Sequence, residues 1–473
     1  MSTVEAAPGR ARVVAWGLWD WGSAAFNAVI ATFVFAVYLT DSVGEDLPGD
    51  ISASAWLGWA LAIAGLLVAL TAPVIGQRFD ATANRKRSLA IMTAVVVGLM
   101  AAMFFVRDEY HYLWLGLVLL ALGHVFFELS TVPYNAMLRQ VSTPDTVGRV
   151  SGFGWAMGYF GGIVLLLICY LGFISGDGDE RGLLGIGTDD GLNIRLVLVV
   201  AAVWFAVFAL PVFFAVPEVR RYRAAPGGAT AGLLAAFRGV CLGARVGRGR
   251  GAVRGAATAG FFASYRVLWR DLRELWVLDR RVIWFLLASA VFRDGLAGVF
   301  AFGAVLAVQV YGISDSDVLL FGIGANIVAA LGAIVAGRFD DSVGPKRVIV
   351  VSLAAAVVCG TALLVVSGPT MFWIFGLALT LFVGPAQASA RSFLTRLTPP
   401  GREGQLFGLY TTTGRAASFL SPSLFGFFVW AFDADRAGIA GLLVVLTAGL
   451  VAVLLVAAPD DKGGRVSAPA PVA

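Results

Sequence analysis

Twelve stretches of roughly twenty residues in this chain are almost uninterrupted runs of apolar side chains, and this repetition restricts the fold more than any motif does. A helix crossing about 30 Å of hydrocarbon needs about 20 such residues. Within lipid every backbone N–H and C=O must find its partner inside the structure, which leaves only helices and closed barrels. A barrel would alternate apolar and polar residues in strands of about ten; the runs here do not alternate. Spans are expected at residues 13–39, 55–75, 88–106, 112–133, 150–173, 194–216, 282–307, 318–336, 348–366, 371–388, 405–429 and 437–457. Composition agrees, since only 14% of residues are charged, against about a quarter in soluble domains. The first run follows Arg10 and Arg12. It is too long for a signal-peptide core and reads as a retained span.

Basic residues orient the spans. Apart from the long central loop, sixteen Lys and Arg fall in the N-terminus, in the loops after even-numbered spans and in the C-terminus, and three (Arg107, Arg181, Arg436) in the opposite loops. The opposite loops are acidic, with Asp41, Glu45, Asp46 and Asp50 in the first. By the positive-inside bias, both termini and the central loop are expected in the cytoplasm of a cell whose inner (plasma) membrane holds the chain.

The central loop, residues 218–281, has thirteen Arg and no Lys. Its Ala/Gly/Arg-rich first part reads as disordered. In its second part Phe262, Tyr265, Leu268, Trp269, Leu272 and Trp276 recur at helical spacing among Arg266, Arg270 and Arg273. That is the pattern of a helix in the membrane interface. A basic segment beside a membrane is attracted to anionic lipid, so lipid rather than nucleic acid is the expected contact.

The chain repeats itself. Gly76-Gln-Arg-Phe-Asp80 and Arg85-Lys86-Arg87 after span 2 are echoed by Gly337-Arg-Phe-Asp340 and Lys346-Arg347 after span 8. Arg139, Pro144, Gly148 and Arg149 after span 4 are echoed by Arg396, Pro400, Gly401 and Arg402 after span 10. Spans 1–6 therefore correspond to spans 7–12. The expected organisation is a cytoplasmic segment 1–12, a six-helix bundle 13–217, the linker 218–281, a second bundle 282–457 and a cytoplasmic tail 458–473. Parallel halves of this kind place a binding cavity at their interface near the bilayer midplane.

Six-plus-six spans with a Gly-x-x-x-Asp … Arg-Lys-Arg loop resemble the major facilitator superfamily. More narrowly, Trp19-Asp20-Trp21-Gly22-Ser23-Ala24-Ala25-Phe26 is similar to the opening of the UMF1 family, which includes the Atg22-like vacuolar effluxers. Further similarity lies in Pro133–Leu138, Gly158–Gly162, Arg293-Asp294-Gly295 and Phe407–Tyr410. The resemblance implies an all-α fold of two pseudo-symmetric six-helix bundles. It also implies a cavity lined by spans 1, 4, 7 and 10, and a cytoplasmic gate built on Asp80, Arg85, Asp340 and Arg347. The implied activity is export of amino acids or similar metabolites by a monomer.

Ionisable groups deep in spans cost about 2.5–3.5 kcal/mol each to insert, so those retained mark pairing or a pathway. Asp20 in span 1 reads as a substrate contact, a helix-end charge or a gate pair. Asn27, two turns on, is a neutral candidate for the cavity wall, as is Asn326 in span 8. His124 and Glu128 share a face of span 4, either as an internal polar pair or as a proton-carrying site. Arg293 and Asp294 sit near the middle of span 7. Neighbours diverge by about 100° on a helix, so one is expected to face the cavity and the other a neighbouring helix; the resemblance favours Asp294 for the cavity. Arg415 in span 11 is either an anchor for a substrate carboxylate or a partner of Glu128 or Asp294.

Function classes follow. No ATP-binding motif, metalloprotease His-Glu-x-x-His or assembled Ser/His/Asp set occurs, and Cys169, Cys241 and Cys359 lack metal-ligand spacing. No enzymatic activity, metal or cofactor is expected. The expectation is a secondary transporter of a small solute, with proton coupling through Glu128, Asp294 or Asp20. The alternative is a non-transporting receptor or lipid-handling protein with a transporter fold.

Overall fold

A computed structural model describes residues 9–82, 84–176, 178–218 and 261–457. The Arg-rich stretch read as disordered, most of the N-terminal segment and the C-terminal tail lie outside the described residues. Among the described residues, eleven helices are long and apolar enough to cross a membrane: Arg10–Asp41, Ala53–Asp80, Arg85–Phe105, Tyr110–Ala136, Val147–Ile174, Asp189–Ala215, Arg280–Gln309, Leu320–Val343, Pro345–Val365, Pro369–Leu397 and Ala437–Leu455. These are spans 1–10 and 12. Span 11 is broken into Glu403–Ala417 and Leu420–Phe432, each too short to cross alone.

Several helices outrun their apolar cores. Span 2 was expected to end at residue 75 and span 10 at residue 388, yet they continue to Asp80 and Leu397. Hydropathy falls where protein replaces lipid as the neighbour, but the backbone stays helical until a breaker arrives. For span 10 the breaker is the Pro399-Pro400 pair, since proline cannot supply the next helical hydrogen bond. Span 1 changes character: α-helix over Arg10–Ala25, π-helix over Phe26–Phe33, then α-helix again over Phe35–Asp41. Such π segments re-aim the side chains that follow and occur often at functional sites.

Two apolar cores form. One gathers Trp16, Trp19, Phe26, Phe127 and Phe205 from spans 1, 4 and 6. The other gathers Phe285, Phe292, Phe393 and Leu446 from spans 7, 10 and 12, with Val68, Ala72 and Phe79 of span 2 joining it. The halves meet through two equivalent helix pairs. Span 2 lies on span 11, where a methyl at Gly76 would stand 2.0 Å from the Gly404 carbonyl and one at Gly408 would stand 2.5 Å from the Ala72 carbonyl. Span 8 lies on span 5, where a methyl at Gly337 would stand 2.8 Å from the Gly148 carbonyl and one at Gly152 would stand 2.2 Å from the Ala333 carbonyl. In each pair two residues four apart meet two residues four apart, and glycine is what lets the backbones touch. The fold is thus all-α, twelve spans in two pseudo-symmetric six-helix bundles.

The second part of the linker is helical over Phe261–Leu278, as its spacing predicts. Leu268 and Leu275 are buried, Trp269 and Trp276 are exposed, and Glu274 reaches Arg402 at 3.4 Å.

Candidate functional site

Polar side chains gather between the bundles in three layers. The first lies at the end carrying the two termini and is dense. Arg85 bridges Asp80 (2.6 Å) and Glu403 (2.7 Å), and all three side chains are almost fully buried. Asp80 also accepts the backbone N–H groups of Gly404 (2.9 Å) and Gln405 (2.8 Å). A carboxylate at the start of span 11 satisfies donors that a helix N-terminus leaves unpaired and complements its dipole. Arg139 donates to the Thr398 carbonyl at 2.8 Å.

The second half repeats this at the same spacing from its contact glycine, since Asp341 follows Gly337 by four residues as Asp80 follows Gly76. Asp341, rather than Asp340, accepts from the N–H groups of Gly148 (2.7 Å) and Arg149 (3.0 Å) at the start of span 5. It pairs with Arg149 and Arg396. Asp340, itself buried, accepts from Ser392 (2.6 Å) and Arg396 (2.9 Å) within its own half. Of the four residues expected at this end, Asp80, Arg85 and Asp340 sit in the network. Arg347 does not: it is exposed and lies on the side of span 9 that faces the groove of Leu331, Phe339 and Val351. Arg396 takes the part expected of it. The repeat placed a basic pair after span 8, but the turn at Gly344 carries it away from Asp340.

The second layer centres on Arg391 of span 10. Its guanidinium donates to the Ser151 hydroxyl (3.0 Å), the Ser151 carbonyl (2.6 Å) and the Asn135 side chain (3.2 Å), and lies 3.6 Å from the Asp20 carboxylate. It also sits against the rings of Trp16, Tyr134 and Trp155. Asp20 is thus paired across the two halves. Arg391 escaped the sequence reading because it falls just past the apolar run of span 10. The signal that would have found it is the lack of any helix breaker between Pro385 and Pro399.

The third layer lies near mid-span. Arg415 forms an ion pair with Glu128, which decides between the two readings of Arg415 in favour of a partner within the protein. His124, one turn from Glu128, is largely buried. Arg293 lies over the Tyr410 ring with its guanidinium carbon 3.8 Å from the centroid, and donates to the Tyr410 carbonyl at 3.2 Å. No carboxylate pairs with it among the described residues. Asp294 is buried against span 11, where it accepts the Ser421 N–H at 2.6 Å, while the Ser421 hydroxyl donates to the Asp294 carbonyl at 3.0 Å. The expectation for these neighbours is therefore reversed. Arg293 lies over Tyr410, and Asp294 turns away to satisfy the N-terminus of the half-helix Leu420–Phe432, a need created by the break that Pro422 imposes on span 11. Asn27 is exposed on the π segment of span 1. Asn326 donates to the Gly322 carbonyl of its own helix and stands apart from all three layers.

The hydrogen bonds joining the halves among the described residues run from mid-span, where Thr412 meets the Ala69 carbonyl (3.1 Å), to the end bearing the termini. None joins the opposite ends. Two pseudo-symmetric bundles tied together by buried polar contacts at one end have the architecture of a transporter of the major facilitator class.

Similarity narrows the class. The chain matches the "Vacuole effluxer Atg22 like" family over residues 41–465; it belongs to that family. It is 22% identical over 453 residues to the MFS-type transporter YxiO of Bacillus subtilis, covering 96% of each chain. It is 22% identical over 326 residues to autophagy-related protein 22-1 of Aspergillus fumigatus, covering 65% of this chain and 48% of the fungal one. This chain therefore matches about half the length of that fungal relative. Among solved structures, the proton:xylose symporter XylE superposes with a TM-score of 0.66 at 14% identity, covering 94% of each chain. A bacterial homologue of the iron transporter ferroportin in its outward-facing state gives 0.63 at 12% identity, covering 94% of this chain and 98% of the other.

Proposed function

We propose that this transporter exports a small zwitterionic solute of the amino-acid class, in exchange for protons, from the cytoplasm across the plasma membrane. The observation that carries the reading is Arg293: a guanidinium near mid-span, half-buried and, among the described residues, paired with no carboxylate. Arg suits a carboxylate because its planar fork donates two parallel hydrogen bonds. Glu128, already tied to Arg415 beside it, supplies the negative charge for an ammonium group.

Protonation of Glu128 would release Arg415 and loosen span 11 from span 4, which couples a proton to the movement of the halves. Alternating access then follows from the layers. The dense network is the cytoplasmic gate, closed here, and the cleft faces outward. The positive-inside bias puts that gate and both termini in the cytoplasm. The chain acts as a monomer, and its basic linker lies against anionic lipid.

The test is counterflow in proteoliposomes loaded with a mixture of neutral amino acids, with and without an acid interior, since protons leaving an acid lumen drive an exchanged solute inward. Accumulation that rises with the proton gradient and is abolished by Arg293→Ala, in protein of unchanged melting temperature, is expected. Equal accumulation by the Arg293→Ala protein would refute the reading.

A further inference from the structure

Three aromatic side chains and one carboxylate from the first bundle surround a cation supplied by the second. Trp16 (4.8 Å from the Arg391 guanidinium carbon to the ring centroid), Tyr134 (5.9 Å) and Trp155 (5.9 Å) form the walls, and Asp20 closes the site at 3.6 Å. These four belong to spans 1, 4 and 5. Arg391 belongs to span 10.

The walls are braced independently of Arg391. Trp16 stacks on Tyr134 (4.6 Å between centroids, 6° between planes) and donates its indole N–H to the Tyr134 carbonyl at 3.1 Å. Trp19 also stacks on Tyr134 (4.3 Å) and donates to Thr93 at 3.0 Å. The floor is Gly154: a methyl there would stand 2.9 Å from the Arg391 guanidinium and 2.6 Å from the Trp16 ring. The space is therefore kept open for a flat cation. Aromatic faces with a nearby carboxylate are the environment in which organic ammonium and guanidinium groups are held, since the ring quadrupole attracts a cation that has shed part of its hydration.

We propose that this cage is the cytoplasmic binding site for the cationic group of the transported solute, and that Arg391 is an intramolecular stand-in that fills it whenever the cytoplasmic gate is shut. When the bundles part at that end, span 10 carries Arg391 away from spans 1, 4 and 5. The cage, built from one bundle alone, is left intact and open to the cytoplasm, and a solute ammonium or guanidinium enters. As the gate closes, Arg391 returns and displaces that group towards the outward cleft. One site then does two jobs: it selects a solute that carries an organic cationic group, and it releases that group towards the other side by tying closure of the gate to its own refilling. Occupancy by Arg391 also keeps the site from being an empty, costly cavity for a buried carboxylate. The inference rests on the proposed function for the direction of transport; the cage chemistry stands apart from it.

The test uses the full-length protein and methylguanidinium, with sodium chloride as the ionic-strength control, read by calorimetric titration and by melting temperature. Arg391→Ala should bind methylguanidinium roughly tenfold or more tightly than the unaltered chain, because the internal competitor is gone. Adding Asp20→Asn or Trp155→Ala to that variant should remove the gain. Arg391→Gln, which drops the guanidinium but can keep the Nε bond to the Ser151 hydroxyl, provides the same comparison if Arg391→Ala does not fold.

A gain that survives Asp20→Asn, or no gain in a folded Arg391 variant, overturns the cage. Arg391 would then be only a strut of the gate. Failure of Arg293→Ala to affect amino-acid counterflow would leave these binding results untouched, so the two readings fail separately.

Discussion

Replacing Glu403 by glutamine tests whether the buried network governs the sealed end. The side chain keeps its shape and loses its charge. Two charged contacts are weakened, to Arg85 at 2.7 Å and to Arg139 at 3.4 Å. The first joins side chains that are 6% and 5% exposed, while the Arg139 side chain is 41% exposed, so the loss falls mainly on Arg85. Asp80 still neutralises that arginine, which prevents the larger penalty of an orphaned buried charge. A hydrogen bond to a charged group contributes about 1.5–3 kcal/mol. Both Glu403 contacts exist only while the bundles meet, so this energy is taken from the closed state alone. The open fraction should therefore rise roughly 10- to 150-fold.

The assay is alkylation of Ala388→Cys in a background with Cys169, Cys241 and Cys359 replaced. Ala388 is 2% exposed and its carbonyl accepts the Ser151 hydroxyl across the interface at 2.7 Å. A thiol there reacts only when the bundles part, and if opening is a fast pre-equilibrium the rate reports the open fraction directly. An alkylation rate within twofold of the parent would refute the reasoning, because it would mean that the network does not distinguish the two states.

Other perturbations follow from the same contacts. Gly152→Ala and Gly408→Ala place a methyl 2.2 Å from the Ala333 carbonyl and 2.5 Å from the Ala72 carbonyl; each should prevent closure, raising Ala388→Cys alkylation and abolishing transport while the melting temperature changes little. Arg396→Ala removes the cation from a buried Asp340 of the same half, a loss of about 3–5 kcal/mol of folded stability, whereas Arg347→Ala should stay within about 0.5 kcal/mol; melting temperatures compare them. Asp294→Ala leaves the Ser421 N–H without its acceptor and should cost about 1–3 kcal/mol, seen as a lower melting temperature. Solute affinity by titration should hold, since Asp294 faces span 11 rather than the cleft.

The sequence alone carried the architecture. Span number, the duplication and the arrangement in two halves follow from local patterns, because a bilayer imposes a fixed length on every helix and a duplicated gene leaves both copies readable. The ionisable residues at mid-span were equally legible, since lipid makes each one costly wherever its helix points. Which of them meet was decided only by the tertiary structure. The turn of span 7 set Arg293 over Tyr410 and Asp294 against the break in span 11, and the second helix cap fell to Asp341 rather than to its neighbour Asp340. The helical continuation of span 10 beyond its apolar run brought Arg391 among three aromatic rings. Partnership between charges depends on helix rotation and crossing to within a few ångströms, and those are set by packing between segments hundreds of residues apart, where no local pattern reaches.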